Sequence, residues 1–143
     1  MKIAPAKKKD IPAIIGMIDS EFPYKGMTEK EMIDRIKGRK VFVFKTMVGK
    51  KVAGFIDIEL QKKGKAMVNG ISVLSEYRRK LIGEKLMQYA IKFLKKKRVN
   101  EVLLLVKVGN FPAKKLYKKV CFRFNRYFDR KIDNSIVEEM QLM

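Results

Sequence analysis

The sequence predicts one α/β domain over residues 1–143, built on a mixed sheet with strands and helices alternating along the chain. Three observations predict it. The 143 residues are 47% hydrophobic, enough to bury one sizeable core. Apolar stripes at helical spacing alternate with β-branched, aromatic-rich segments. Residues 101–108 form an almost unbroken apolar run, as expected of a strand covered on both sheet faces.

The elements follow in order. Residues 2–6 can start a strand. Asp10 is placed to cap a helix that tolerates Pro12 in its first turn; Ile11, Ile14, Ile15, Ile18 and Phe22 follow its apolar stripe, and Phe22-Pro23 ends it. Thr28 and Glu31 have capping-box spacing for a second helix that stops near Gly38, and the loop 24–27 before it shows no core role. Residues 41–46 and 52–60 read as an antiparallel hairpin turning through Val48-Gly49-Lys50. Lys62-Lys63-Gly64-Lys65 then turns into a strand over 66–73.

A helix follows over 82–96, with Ile82, Leu86, Ala90, Phe93 and Leu94 on its buried side and Lys95 to Arg98 complementing its C-terminal dipole. After the apolar strand, 112–119 forms a short helix with Ala113, Leu116, Tyr117 and Val120 aligned, and strands over 122–128 and 136–142 close the sheet. No internal repeat, low-complexity stretch or interdomain linker interrupts this order.

The charge is strongly uneven. There are 34 Lys and Arg against 15 Asp and Glu, a net +19, and from Lys85 to Arg126 thirteen basic residues face one acid, Glu101. Such a field draws in anionic substrates or partners. The first ten residues contain no apolar leader segment and the longest aliphatic run, 102–106, is too short to span a bilayer, so a cytoplasmic protein without membrane association is expected. Cys121 is the single cysteine and there is no histidine, which excludes an internal disulfide, Ser-His-Asp and Cys-His catalysis, HExxH zinc chemistry and imidazole acid–base work. No metal site is expected. Gly49 and Gly54 mimic phosphate-loop spacing, but Phe55 stands where the lysine belongs, and the segment reads as a hairpin.

Two motifs carry chemistry. In VNGISVLSEYRRKLIGEKL a strand runs into a basic turn and a helix start, where unpaired N–H groups, the helix dipole and Arg78, Arg79 and Lys80 would suit a pyrophosphate. Twenty-seven residues after Gly83, NFPAKKLYKKVCF begins at Asn110. Together these resemble the GNAT family of acetyl-CoA-dependent N-acetyltransferases, whose turn carries Arg or Gln, two residues, Gly, one residue, then Gly or Ala, and whose later helix carries Asn-x-x-Ala-x-x-Leu-Tyr and then Gly-Phe. Arg78, Gly83, Asn110, Ala113, Leu116, Tyr117 and Phe122 match. Leu81 replaces the first turn glycine, which demands close approach or an unfavourable φ. Cys121 replaces the glycine after the second helix, implying a different local cap.

The resemblance implies a GNAT-like central mixed, mostly antiparallel sheet flanked by helices on both faces, and an N-acetyltransferase that moves acetyl from acetyl-CoA to a primary amine on a small molecule or protein by direct attack. It places acetyl-CoA against Ile71, Ser72 and Val73, against Arg78, Arg79, Lys80, Leu81, Ile82, Gly83 and Glu84, and beside Asn110. One strand N–H would polarise the thioester carbonyl. It makes Tyr117 the donor to the departing thiolate; packing alone would also explain that tyrosine. Attack needs a neutral amine, so a base helps. Family members that acetylate protein α-amines often carry glutamate five residues before the motif asparagine, where this chain has Leu105. Glu59 is the favoured base, with Asp57 on the same strand face and Glu21 as further candidates; an exposed acidic face would also explain each. Tyr24 and the segment 124–131 are placed to meet the acceptor.

The alternative is a non-catalytic nucleic-acid- or ribosome-associated basic module on the same fold, motivated by the charge and by Tyr117, Phe122, Phe124, Tyr127 and Phe128. An acidic macromolecule is a partner on either reading. Against it, Lys114, Lys115, Lys118 and Lys119 lie opposite the apolar stripe of their helix, as in a solvated face. The terminal strands could pair with another chain, and the oligomeric state stays open.

Overall fold

The structure, a computed structural model, describes residues 2–78 and 81–143. Its elements are β1 (Lys2–Pro5), α1 (Ile11–Glu21), α2 (Glu29–Lys37), β2 (Val41–Val48), β3 (Lys51–Leu60), β4 (Lys65–Val73), α3 (Ile82–Lys96), β5 (Glu101–Lys107), α4 (Phe111–Lys119), β6 (Phe122–Tyr127) and β7 (Val137–Leu142). The seven strands form one sheet in the order β1-β2-β3-β4-β5-β7-β6. All pairings are antiparallel except β4 with β5, which the crossover through α3 makes parallel. The mixed, mostly antiparallel sheet expected from the sequence is therefore present.

Strand alternation divides the core between the two sheet faces. On one face Leu86, Met87, Ala90 and Leu94 of α3 pack with Tyr117 and Val120 over Ile56, Ile58, Leu104 and Met140. On the other, Ile11, Ile14, Ile18 and Met32 from α1 and α2 cover Val41, Val43 and Phe55. Each fully buried aliphatic side chain contributes about 1.5–3 kcal/mol relative to exposure. Gly49 turns the β2–β3 hairpin at φ +61°, as a two-residue hairpin requires.

Three local expectations are corrected. Asp10 precedes α1, but its carboxylate does not cap that helix; it accepts from the Lys7 N–H at 2.7 Å and the buried Lys45 Nζ at 2.5 Å. The loop 24–27, expected to have no core role, packs Met27 against the α1/α2-side core, and the overlapping 3₁₀ turn Pro23–Lys25 brings Tyr24 and Lys25 to the central cleft. Cys121 does not signal a different cap: it keeps the left-handed backbone at φ +76° and donates its N–H to Lys118 O. Thr28 caps α2 as expected, its Oγ1 accepting from the Glu31 N–H at 3.1 Å.

One irregularity positions the site. Asp57 pairs with Gly70 and Ile58 with Val68, so Asn69 is an extra, bulged residue in β4. A bulge bends its strand. The β4–β5 ladder accordingly ends at Val68 opposite Leu104, while β5 goes on pairing with β7 as far as Lys107. Beyond Val68, β4 has no partner on its β5 side.

Candidate active site

The splayed strands open a cleft of about 300 Å³. Gly70 and Ile71 form one wall, Leu105 and Lys107 the other; Asn110 and Tyr117 close one end, and Phe22, Tyr24 and Lys25 cover the α1 side. Ile71 and Val73 lean toward the α3 face. Ser72 is buried and paired with Phe55 on β3, and neither Ser72 nor Val73 lines the cleft.

The strand-to-helix turn lies next to this cleft. Arg78 Nε donates to Val73 O at 3.0 Å, and its guanidinium also pairs with Glu21, tying the end of α1 to the turn. Arg79 and Lys80 lie outside the described residues. Leu81 takes the glycine-like backbone its position demands, φ +62° and ψ +15°, with its side chain 55% exposed. Ile82 packs into the core, so only its backbone faces outward; Glu84 turns to Lys119, 3.1 Å away. A Cβ at Gly83 would stand 3.3 Å from Leu116 Cδ2 and 3.9 Å from Val73 Cγ2, so this glycine lets α3 lie close to both β4 and α4.

Asn110 lines the cleft while its Oδ1 accepts from the Ala113 N–H at 3.3 Å, capping α4. Its proximity to the cleft therefore comes with a structural task. Pro112 sits in the first turn, where it costs no hydrogen bond. Tyr117, two turns on, is buried, and burial first, with Tyr24 adding to it, pushes its phenol up to about 12. It stays a proton donor at any ordinary pH.

Glu59 and Asp57 are not in the cleft. They lie on the α1/α2 face, in an adjoining hollow of about 250 Å³ that shares Phe22, Lys25, Asn69 and Gly70 with it. Arg35 holds Asp57 in a two-point ion pair at 2.6 and 3.1 Å, which removes that carboxylate from service as a base. Glu59 accepts from Asn69 Nδ2 at 2.9 Å. Glu21 lines the cleft but is engaged by Arg78. Of the acceptor-side expectations, Tyr24 is at the cleft, whereas Phe124 and Tyr127 pair with Met140 and Glu138 on the opposite, α4 face of the sheet.

The cleft residues that were not anticipated include Lys25, Lys107, Ile132 and Asn69. Lys25 Nζ donates to Asn69 O at 2.8 Å and sits 5.1 Å from the Phe22 ring. Burial lowers its ammonium below the usual lysine value; Asp57 opposes that shift and Arg35 adds to it. Lys107 Nζ pairs with Asp133 at 2.8 Å and lies 4.8 Å from the Tyr24 ring, and Ile132 lines the same side. Asn69, the fourth, had a local signal, since Asn-Gly within a strand run marks a bulge. Lys25 and Ile132 come from loops and Lys107 from the end of β5, and only the tertiary fold brings them together.

Among the described residues no helix is long and apolar enough to cross a membrane, and no group of His, Cys, Asp and Glu could hold a metal ion.

Residues 12–121 match the Acetyltransferase (GNAT) family. A stretch of 65 residues is 45% identical to an N-alpha-acetyltransferase of Sulfurisphaera tokodaii, spanning 45% of this chain and 38% of that relative's length. The fold is similar to the ribosomal-protein-S18-alanine N-acetyltransferase of Escherichia coli, with a TM-score of 0.82 at 23% identity over 99% of this chain and 92% of that one. It is equally similar to Ard1 of Thermoplasma volcanium, at a TM-score of 0.83 and 23% identity over 98% and 95% of the two chains. The PaiA N-acetyltransferase of Thermoplasma acidophilum, solved with coenzyme A, has a TM-score of 0.77 at 20% identity over 97% and 98%.

Proposed function

Because the chain belongs to the GNAT family of acetyltransferases, we propose that it moves an acetyl group from acetyl-CoA to a primary amine by direct attack. The observation that carries this reading is the divergence of β4 from β5 after Val68, with Tyr117 at the end of the gap. A pantetheine amide could hydrogen bond along Ile71 to Val73 as a strand would. The backbone N–H groups from Leu81 to Glu84, with Arg78, Arg79 and Lys80, suit its phosphates. Asn110 lies beside the same arm.

Acetyl-CoA supplies an acyl carbon already activated as a thioester. The chain's part is orientation and proton handling. A strand N–H in the Ile71 to Val73 segment polarises the carbonyl oxygen. As the new C–N bond forms and the C–S bond breaks, Tyr117 Oη delivers its proton to the departing sulfur. The amine's proton leaves toward Glu59, the carboxylate that Asn69 connects to the cleft. General acid–base steps of this kind contribute about 10²–10⁴-fold.

The acceptor amine enters past Tyr24, Lys25 and Ile132, on a small molecule or a protein. The likeness to an N-alpha-acetyltransferase supports an α-amine, which is neutral more often at pH 7 than a lysine side chain. Leu105, standing where many such enzymes have glutamate, argues against that choice. Calorimetric titration with acetyl-CoA at moderate salt, with ATP as the charge control, tests the donor site. Saturable binding that ATP does not reproduce supports the reading, and equal binding of both ligands defeats it.

A further inference from the structure

The charge of the chain exceeds what one cofactor needs, and the three most exposed aromatic side chains among the described residues lie outside the cleft lining. Phe111, Phe124 and Tyr127 are 71%, 50% and 64% exposed. Phe124 and Tyr127 project from β6 toward the α4 face, their ring centroids 5.1 Å apart. Tyr127 pairs across the strand with Glu138, whose carboxylate takes Lys114 Nζ at 2.6 Å, and that same ammonium lies 5.6 Å from the Phe111 ring. The three rings therefore belong to one continuous band.

The cations beside the rings are uncommitted. Lys115 and Lys118 face outward from α4 with no ion pair among the described residues, and Arg123 donates only to the backbone oxygens of Lys118 and Phe122, at 2.9 and 2.8 Å. The carboxylates that approach the band are already engaged: Glu138 by Lys114, and Glu84 by Lys119. β6 is an edge strand, hydrogen bonded only to β7.

We propose that this α4–β6 face binds single-stranded nucleic acid, with unpaired bases stacking on Phe124, Tyr127 and Phe111 while Lys115, Lys118 and Arg123 hold the phosphates. Exposed rings flanked by mobile cations form the kind of surface that stacks bases without reading sequence. Charge complementarity selects the occupant. A second copy of this chain would bring lysine and arginine against lysine and arginine, and a duplex would keep its base faces out of reach of the rings. The inference does not depend on acyl transfer: α4 turns Tyr117 inward to the cleft and these lysines outward.

The test is fluorescence anisotropy of the full chain with a labelled mixed-sequence RNA strand of about 12 nucleotides and with the corresponding duplex, over a salt series. The single strand should bind at least about tenfold more tightly than the duplex. Phe124→Ala with Tyr127→Ala should weaken it by about tenfold or more with an unchanged salt slope. Lys115→Ala with Lys118→Ala should reduce the logarithmic salt slope by about 1.4. These side chains are exposed, so circular dichroism should show an unaltered fold, and Tyr127→Ala alone serves if the double variant does not fold. Equal affinity for strand and duplex, or wild-type affinity in the aromatic variant, would reduce the face to undirected charge and overturn the proposal. So would absence of RNA binding together with binding to anionic vesicles, or self-association that β6 variants abolish.

Discussion

Asn69 Nδ2 donates a 2.9 Å hydrogen bond to Glu59 Oε1, so the residue that bulges β4 also connects the cleft to the acidic hollow behind it. Lys25 fixes the same residue from the other side through its backbone oxygen. If Glu59 receives the amine's proton, Glu59→Gln should lower kcat/KM by about 10²-fold. Glu139 is the control. It stands across the β5–β7 ladder from Leu105, but its carboxylate is held by Asn125 at 2.6 Å and Arg126 at 3.0 Å. Greater loss in Glu139→Gln than in Glu59→Gln would transfer the role to Glu139.

Tyr117→Phe should slow turnover by about 10²-fold with near-normal CoA affinity, since the ring stays and only the proton donor goes. Unchanged turnover would remove Tyr117 as the acid. The same substitution has a signature in stability. Burial raises the folded phenol to about 12, so it favours the fold below the unfolded value near 10 and that contribution is lost as pH rises through the folded value. Between about pH 10 and 12 the wild type should lose on the order of 3 kcal/mol that the Phe variant does not, as read by denaturant melts.

Leu81 and Cys121 both hold left-handed backbone, at φ +62° and +76°. That conformation costs an ordinary residue about 1–2 kcal/mol, and glycine gives back about 0.4–1 through unfolded-state entropy. Leu81→Gly and Cys121→Gly should therefore each stabilise by roughly 0.5–1 kcal/mol, raising Tm by a few degrees. Only Leu81→Gly should also tighten CoA binding, because only Leu81 stands at the turn proposed to hold the phosphates.

Gly83→Glu should abolish CoA binding through charge and bulk, and retained affinity would relocate the phosphate site. Gly83→Ala separates crowding from charge. Its methyl would meet Leu116 Cδ2 at 3.3 Å, while alanine gains about 1 kcal/mol of helix propensity. The melting temperature should move little.

Lys45→Met should destabilise by about 3–5 kcal/mol, because it leaves the buried Asp10 carboxylate without its 2.5 Å partner. Asp10→Asn in the same chain should recover much of the loss. Burial alone would raise the Asp10 carboxyl; the bonds from Lys45 and the Lys7 N–H, with the charges of Lys45 and Lys9, outweigh it and lower it. This contribution is present above the unfolded value near pH 4 and lost as pH falls through the lowered folded value, so acid melts of Asp10→Asn should lack that transition.

Much of the fold was legible because its signals are local. The stripe through Ile82, Leu86, Ala90 and Leu94 gave α3 its observed span, Ile82–Lys96, and Thr28 with Glu31 marked the start of α2. The paired motifs around Gly83 and Asn110 pointed to the GNAT family that residues 12–121 match. Leu81's backbone was foreseeable too, since a side chain in a glycine's place must either move the chain or accept its φ.

What the sequence by itself determined is the order of elements, the periodic faces that bury them, and the charge; these depend on neighbours within a few residues. Only the tertiary structure decided where Asp57 and Glu59 lie relative to the cleft, that Arg35 engages Asp57, that Lys25 and Tyr24 from an unremarkable loop cover the splayed strands, and that Phe124 and Tyr127 face α4. Each depends on register and on contacts between residues far apart in the chain. A single bulged residue, Asn69, bends β4 away from β5 and thereby sets which side chains share a cavity.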